Sequence, residues 1–383
     1  KVKIISLSVY AVLLSCVLLY FSGFVFLTYI GEVGAPAKVV ERQLSVDQQE
    51  CRYQSAFRYN DFIYKQHLYQ EKPAKIVVFG SSRGMQVRDF FFEESFVNMS
   101  GGIGGVVGLQ QAVNYLFDNN KILPEKIFLM VDFWWFRSEL GYREYTPYKL
   151  AADDKYLSYD ETMVSKFIEY ILDGKVKFDD IWRGVSSCHQ GLGAIVYGDG
   201  FRQDGSMDYF SYVTGIRASP DYKFRDVKAR MENNLSQFKY GVNVNDGYLE
   251  DLVSLVERIQ SFNIEVTTVL APLPTDVYNA MIESGNYSYI PKLRNTLNVR
   301  FNDQGLTYFD FLDSIDLSSD NCEFLDGFHG GELTYAKIFQ VIKDSLGLPY
   351  IREMSGLISK STSRPSFEYE DNDHLGFSCL PQL

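Results

Sequence analysis

Two stretches far apart in the chain carry residue types that together can transfer an acyl group. One is Lys75–Gly84 (KIVVFGSSRG), with serines in its turn; the other is Phe324–His329 (FLDGFH), with an aspartate three residues before a histidine. In the first, Ile76-Val77-Val78-Phe79 run without polar interruption and Gly80 breaks the run, the pattern of a buried parallel strand whose C-terminal end faces a crevice. A serine at such a turn presents its hydroxyl to a substrate while the next backbone N–H groups point at developing negative charge. In the second, Asp326 can hold the far N–H of the His329 imidazole and stabilise the imidazolium as it takes a proton from a serine. Read alone, Asp326 is the better bet as a cap for a helix beginning near Glu332. The strand-end serine in the first half shifts the balance towards chemistry.

To bring these residues together, the intervening chain must place several strand ends on one edge. Phe96–Ser100 reads as a second strand, closed by Gly101-Gly102-Ile103-Gly104-Gly105. Leu109, Ala112, Val113, Leu116 and Phe117 follow at the spacing of a helix face. Lys126–Asp132 is a third strand, so the order is strand, turn, helix, strand. From Phe133 to about Val244 the alternation is lost, over a span too long for a loop, and we read it as an inserted cap over the crevice or a partner surface. It resumes with a helical face at Leu249, Leu252, Val253 and Val256, a strand Glu265–Ala271, a largely helical Thr275–Asn298, a strand Leu306–Phe311 and a last helix marked by Tyr335, Ile338, Phe339 and Ile342. The domains expected are an anchor at 1–31, a linker and helical packing segment at 32–74, the main domain at 75–348, with the insertion at about 133–244, and an extended tail at 349–383.

A net charge of −12 over 383 residues disfavours nucleic acid as a partner. Ile4–Ile30 contains no charged residue and, as a helix, is long enough to cross a bilayer with tilt. It is too long for the apolar core of a usual signal peptide, so we read an uncleaved anchor. Lys1 and Lys3 before it and Glu32 after it put the N-terminus inside and the main domain outside. Of five cysteines, Cys16 lies in the anchor; Cys51, Cys188, Cys322 and Cys379 allow three pairings if all are bridged. Their spacing matches no metal pattern, and no cofactor is expected.

Three blocks together resemble the SGNH (GDSL-type) hydrolases. Gly80-Ser81-Ser82 resembles the first block, where the last residue of a Gly-x-Ser triplet is the nucleophile. Asn98-Met99-Ser100-Gly101-Gly102-Ile103-Gly104 resembles the second, whose glycine N–H lines the oxyanion hole. Asp326-Gly327-Phe328-His329 resembles the closing Asp-x-x-His block. The resemblance covers about 75–346 apart from the insertion. It implies an α/β fold with a doubly wound, flavodoxin-like parallel sheet, here carrying an inserted cap and one N-terminal transmembrane helix. It further implies Ser82 as nucleophile, His329 as general base, Asp326 as the orienting acid, and the N–H groups of Ser82 and of Gly102 or Gly104 as oxyanion donors. The chain departs from the family at the third block, where an Asn is expected; here the strand ends Val131-Asp132-Phe133-Trp134-Trp135-Phe136. Arg83 is a substitute donor or, the reading we prefer, a surface arginine. Asp132, Trp134 and Trp135 are candidate pocket walls, with cap core as the preferred reading of Phe133–Phe136.

An anchored SGNH-like domain resembles the membrane-tethered subset that modifies bacterial envelope polymers, in teichoic-acid D-alanylation and in alginate and peptidoglycan O-acetylation. That resemblance implies a single-pass protein of the bacterial inner membrane, with its main domain periplasmic or extracellular. It implies an acyltransferase or esterase acting on an envelope polysaccharide through a serine acyl-enzyme, beside a multi-pass membrane-bound O-acyltransferase. The rival reading is a non-catalytic accessory subunit that binds polysaccharide or that membrane partner; a lipase-like or thioesterase activity is a third.

Overall fold

Ile76, Val77, Val78 and Phe79 are all completely buried, as a strand needs to be when both faces of its sheet are covered. They form β1 (Ile76–Gly80) of a five-stranded sheet with β2 (Phe96–Asn98), β3 (Lys126–Val131), β4 (Glu265–Leu270) and β5 (Thr307–Asp310). Every pairing is parallel and the spatial order is β2-β1-β3-β4-β5. The chain leaves β1 to one side for β2 and returns to the other side for β3, so the order reverses beside β1, where open α/β sheets form a crevice. The computed structural model describes residues 2–46, 51–57, 61–139, 162–214, 216–217 and 221–360. Cys379 and most of the C-terminal tail expected from the sequence lie outside them.

The described chain divides into two units, Lys1–His67 with Ala151–Gln203, and Leu68–Leu150 with Asp204–Leu383. The second contains the sheet. Helices α1 (Val106–Asn119) and α2 (Asp246–Gln260) pack on each other, and α2 also packs on β4. The other sheet face, with Ile76, Val78, Phe128, Met130 and Val269, meets Tyr335, Ile338, Phe339 and Ile342 of α3 (Glu332–Leu346). Thr275–Asn298, expected as largely helical, is two helices, Thr275–Glu283 and Tyr289–Asp303. Tyr350, Ile351 and Met354, in the segment expected to be an extended tail, are buried in the α3 core because they cover apolar surface that the sheet leaves on that side.

The first unit holds the apolar helix Val2–Tyr29, then Pro36–Leu44, Thr162–Leu172, Phe178–Ser186 and Leu192–Tyr197. A disulfide joins Cys51 to Cys188, tying the N-terminal segment to the insertion. Cys322, in the sheet unit, is also disulfide-bonded. The insertion is therefore divided: Ala151–Gln203 belongs with the N-terminal segment, and the residues from Asp204 on belong with the sheet. Glu32, the charge that follows the apolar helix, is 1 % exposed. Its carboxylate accepts hydrogen bonds from the Ser55 hydroxyl and the N–H groups of Ala56, Phe57 and Leu192.

Gly80 pairs with Met130 across β1 and β3. A Cβ at Gly80 would lie 2.8 Å from both the Cβ and the carbonyl oxygen of Met130. Gly80→Ala is expected to destabilise the sheet unit by about 1–3 kcal/mol through overpacking against a backbone that cannot retreat. Denaturant unfolding checks this, and an unchanged midpoint would contradict it.

Candidate active site

The turn after β1 enters a 3-10 helix, Ser82–Gln86, capped by Ser81, whose Oγ accepts the Arg83 N–H. At the other end of the sequence, Asp326 begins a tight turn before α3. Its Oδ1 accepts the N–H groups of Phe328 and His329, both at 2.7 Å, and the Leu325 N–H donates to the His329 carbonyl at 2.8 Å. This turn delivers the imidazole to the end of β1. Ser82 Oγ lies 2.9 Å from His329 Nε2, and His329 Nδ1 lies 2.8 Å from Asp326 Oδ2. With Nδ1–H donating to the carboxylate, Nε2 is left as the acceptor for the serine hydroxyl, a tautomer assigned from the hydrogen bonds. The three residues the sequence reading singled out for nucleophile, base and orienting acid thus form one continuous relay. The side chains of His329 and Asp326 are 23 % and 28 % exposed, so solvent reaches its outer side.

Burial pushes the Asp326 carboxyl up, but His329, through its charge and its ring and backbone N–H groups, outweighs this, helped by the Phe328 N–H, and holds the carboxyl below its ordinary 3.8. The carboxylate therefore stays charged, as an orienting acid must.

The glycine-rich turn after β2 sits beside the same strand end. Gly101 and Gly102 have φ of 121° and 65°, values that side chains resist, and the Gly101 N–H donates to the Gly80 carbonyl at 2.9 Å. Among the described residues, the N–H groups of Ser82, Gly102 and Gly104 donate to no backbone carbonyl. Asn98 locks the two turns together: its buried Nδ2 donates to the carbonyls of Gly84 and Val87, and its Oδ1 accepts the Ser100 N–H.

Arg83 departs most from expectation. It is 1 % exposed, not a surface residue. Nη1 pairs with Asp132 Oδ1 at 2.9 Å, Nε donates to the Phe328 carbonyl at 3.1 Å, and Nη2 donates to the Ala271 carbonyl at 3.0 Å and to that of Pro272. The guanidinium also stacks over the Phe328 ring at 4.9 Å, and the Tyr335 hydroxyl donates to the Arg83 carbonyl. All three guanidinium nitrogens are engaged, so Arg83 is a strut and not a substitute oxyanion donor. Asp132 is fully buried with it; burial raises its carboxyl to about 6, against the pull of Arg83, the Ser81 hydroxyl and His329. Trp134 and Trp135 are 2 % and 1 % exposed. Trp134 packs on Phe328 at 5.1 Å and so supports the histidine turn from within; neither tryptophan is an exposed pocket wall.

Sequence reasoning missed Asp221. Its Oδ2 accepts the Gly327 N–H at 2.6 Å and its Oδ1 the Asp226 N–H at 2.7 Å. A Cβ at Gly327 would meet Val227 at 2.9 Å, so the glycine permits this close approach. No signal in the sequence marks an aspartate 106 residues away as the partner of this turn.

Removing one partner of a buried, hydrogen-bonded ion pair costs about 3–5 kcal/mol, whereas replacing both by apolar groups is often near neutral. Arg83→Met is thus expected to lower stability by about that amount in thermal unfolding, and R83M/D132L to recover only part of it because three carbonyls stay unpartnered. A neutral R83M would contradict the strut. For Asp326, the depressed folded-state value means that the unfolded chain binds more protons just below the ordinary pKa, so the contribution to stability is complete above about pH 4 and lost as pH falls through the lowered value. The stability gap between the natural chain and Asp326→Asn should narrow on acidification over that range; a gap independent of pH would contradict the ionised pairing. Comparison by sequence finds no protein-family model and no curated protein that matches this chain.

Proposed function

We propose that the chain is an SGNH-like serine acyltransferase or esterase, held at a bacterial membrane by its N-terminal helix and acting on O-acyl groups of an envelope polysaccharide. One observation carries the reading: the Ser82–His329–Asp326 relay, with spacings of 2.9 and 2.8 Å at a parallel-sheet edge. In the reaction, Ser82 Oγ attacks the acyl carbonyl as Nε2 takes its proton, and Asp326 stabilises the imidazolium. The tetrahedral oxyanion is met by the N–H groups of Ser82 and of Gly102 or Gly104. Collapse expels the first alkoxide, which the imidazolium protonates, and leaves an acyl-serine. An incoming sugar hydroxyl, or water, then attacks the acyl carbonyl as His329 takes its proton; the acyl–Ser82 bond breaks and the imidazolium returns the proton to Ser82 Oγ.

The strand at which the third-block Asn is expected carries none, and Asp132 at its end is a hydrogen-bond acceptor committed to Arg83. Backbone donors must then serve the oxyanion without a side-chain donor, whose loss in a protease costs about 2.7–4 kcal/mol. A slow enzyme specialised for transfer fits this. The same observation favours the rival reading, a non-catalytic accessory subunit beside a multi-pass O-acyltransferase. The disulfide Cys51–Cys188 supports an oxidising compartment for either.

The full chain in detergent should hydrolyse a p-nitrophenyl ester slowly. Asp326→Asn should reduce kcat by about 10⁴-fold, as in serine proteases, and Ser82→Ala by at least as much. Turnover unchanged in the Ser82→Ala variant would remove the catalytic reading and leave the accessory one.

A further inference from the structure

The last turns of the apolar helix are already clothed by protein. A Cβ on Gly23 would meet Val164 at 3.1 Å, the rings of Phe26 and Phe167 stack at 5.4 Å, and the Tyr29 hydroxyl donates to the Val185 carbonyl at 3.3 Å. Helices Thr162–Leu172 and Phe178–Ser186 therefore lie against Gly23–Tyr29. The apolar sequence before them, Ile4–Ser22, covers about 28 Å at 1.5 Å per residue. A bilayer's hydrocarbon core is about 30 Å thick. If the helix crosses a bilayer, the outer edge of the hydrocarbon falls where these two helices begin to cover it.

Their inward sides are spent on that helix: Met163, Val164 and Phe167 are buried in a cluster with Leu27 and Ile30. Their outward sides carry large apolar side chains among the charged ones. Leu172 is 82 % exposed, Phe178 79 % and Trp182 68 %, with Ile168, Ile171 and Val185 exposed beside them. An apolar groove of about 450 Å³, lined by Phe21, Val25, Phe26, Tyr29 and Val185, joins this surface to the bare part of the apolar helix. Large apolar side chains left exposed together mark an interaction site, and amphipathic helices with Trp, Phe and Leu outward lie at the boundary of headgroups and acyl chains. Residues 162–186 carry four basic and four acidic side chains, so the contact is apolar and does not select lipids by charge.

We propose that helices Thr162–Leu172 and Phe178–Ser186 form an interfacial foot that inserts its outward apolar side chains into the lipid beside the spanning helix. The inference rests on the N-terminal apolar helix, long and apolar enough to cross a membrane, doing so, and not on the serine chemistry.

The test places a fluorophore on single cysteines in a Cys16→Ser background of the full chain, in phosphatidylcholine vesicles. Leu14→Cys reports the span; Trp182→Cys and Leu172→Cys, on exposed positions of separate helices, report the foot. The foot labels should lose most of their emission to nitroxides near the headgroup and little to aqueous iodide, while the label at 14 is quenched by nitroxides deep in the acyl chains. Quenching of the foot labels by iodide, with the label at 14 still deep, would overturn the foot and leave the span standing. Foot labels shielded from both quenchers would show a protein on this surface and overturn lipid as its occupant. A label at 14 reached by iodide would overturn the span and the foot together.

Discussion

A guanidinium buried where three parallel strands end holds the candidate site in shape. Arg83 follows Ser82 directly, so its backbone position is that of the candidate nucleophile's neighbour. Its side chain ties that turn to Asp132 after β3, to Ala271 and Pro272 after β4, and to Phe328 in the histidine turn. Burying such a charge carries a large desolvation cost, offset only by good geometry and full hydrogen bonding. Arg83 has both. An ion pair of this kind adds little net stability over apolar packing, but it allows very few arrangements of the segments it joins. Its role is thus positional: it makes the ends of β1, β3 and β4 and the turn before α3 keep one geometry.

On that frame the reactive residues divide into a rigid inner side and an open outer side. Phe328, Trp134 and Phe238 pack together beneath the histidine turn, and Asp221 holds its backbone from the insertion side. Asp326 and His329 keep part of their surface in solvent, where a substrate can approach. The insertion residues from Asp204 on therefore help to build the turn that carries the imidazole.

The parts legible in the sequence are those governed by local pattern. Continuous apolar runs announced β1 and β3 because a strand buried on both faces leaves no room for polar alternation, and the i, i+3, i+4 spacing announced α1. Asp326 and His329 were visible as a pair because they sit within one turn. Pairings across the chain were not legible. Nothing local to Arg83 says that its counter-charge is Asp132, so a lone arginine beside a strand end looks like any solvated one. The partners of buried Glu32, from Ser55 to Leu192, are also distant in sequence. The disulfide Cys51–Cys188 and the division of the insertion between two units likewise depend on contacts that no window of sequence contains.

The central claim is that Ser82 is activated by His329, and chemical trapping addresses it most directly. The full chain is treated with a fluorophosphonate, whose fluoride is displaced by an activated serine oxygen, and its peptides are then mapped by mass spectrometry. A single phosphonylated residue, Ser82, is expected, with labelling lost in His329→Ala. An unlabelled Ser82, or a label on Ser82 that persists without the imidazole, would contradict it.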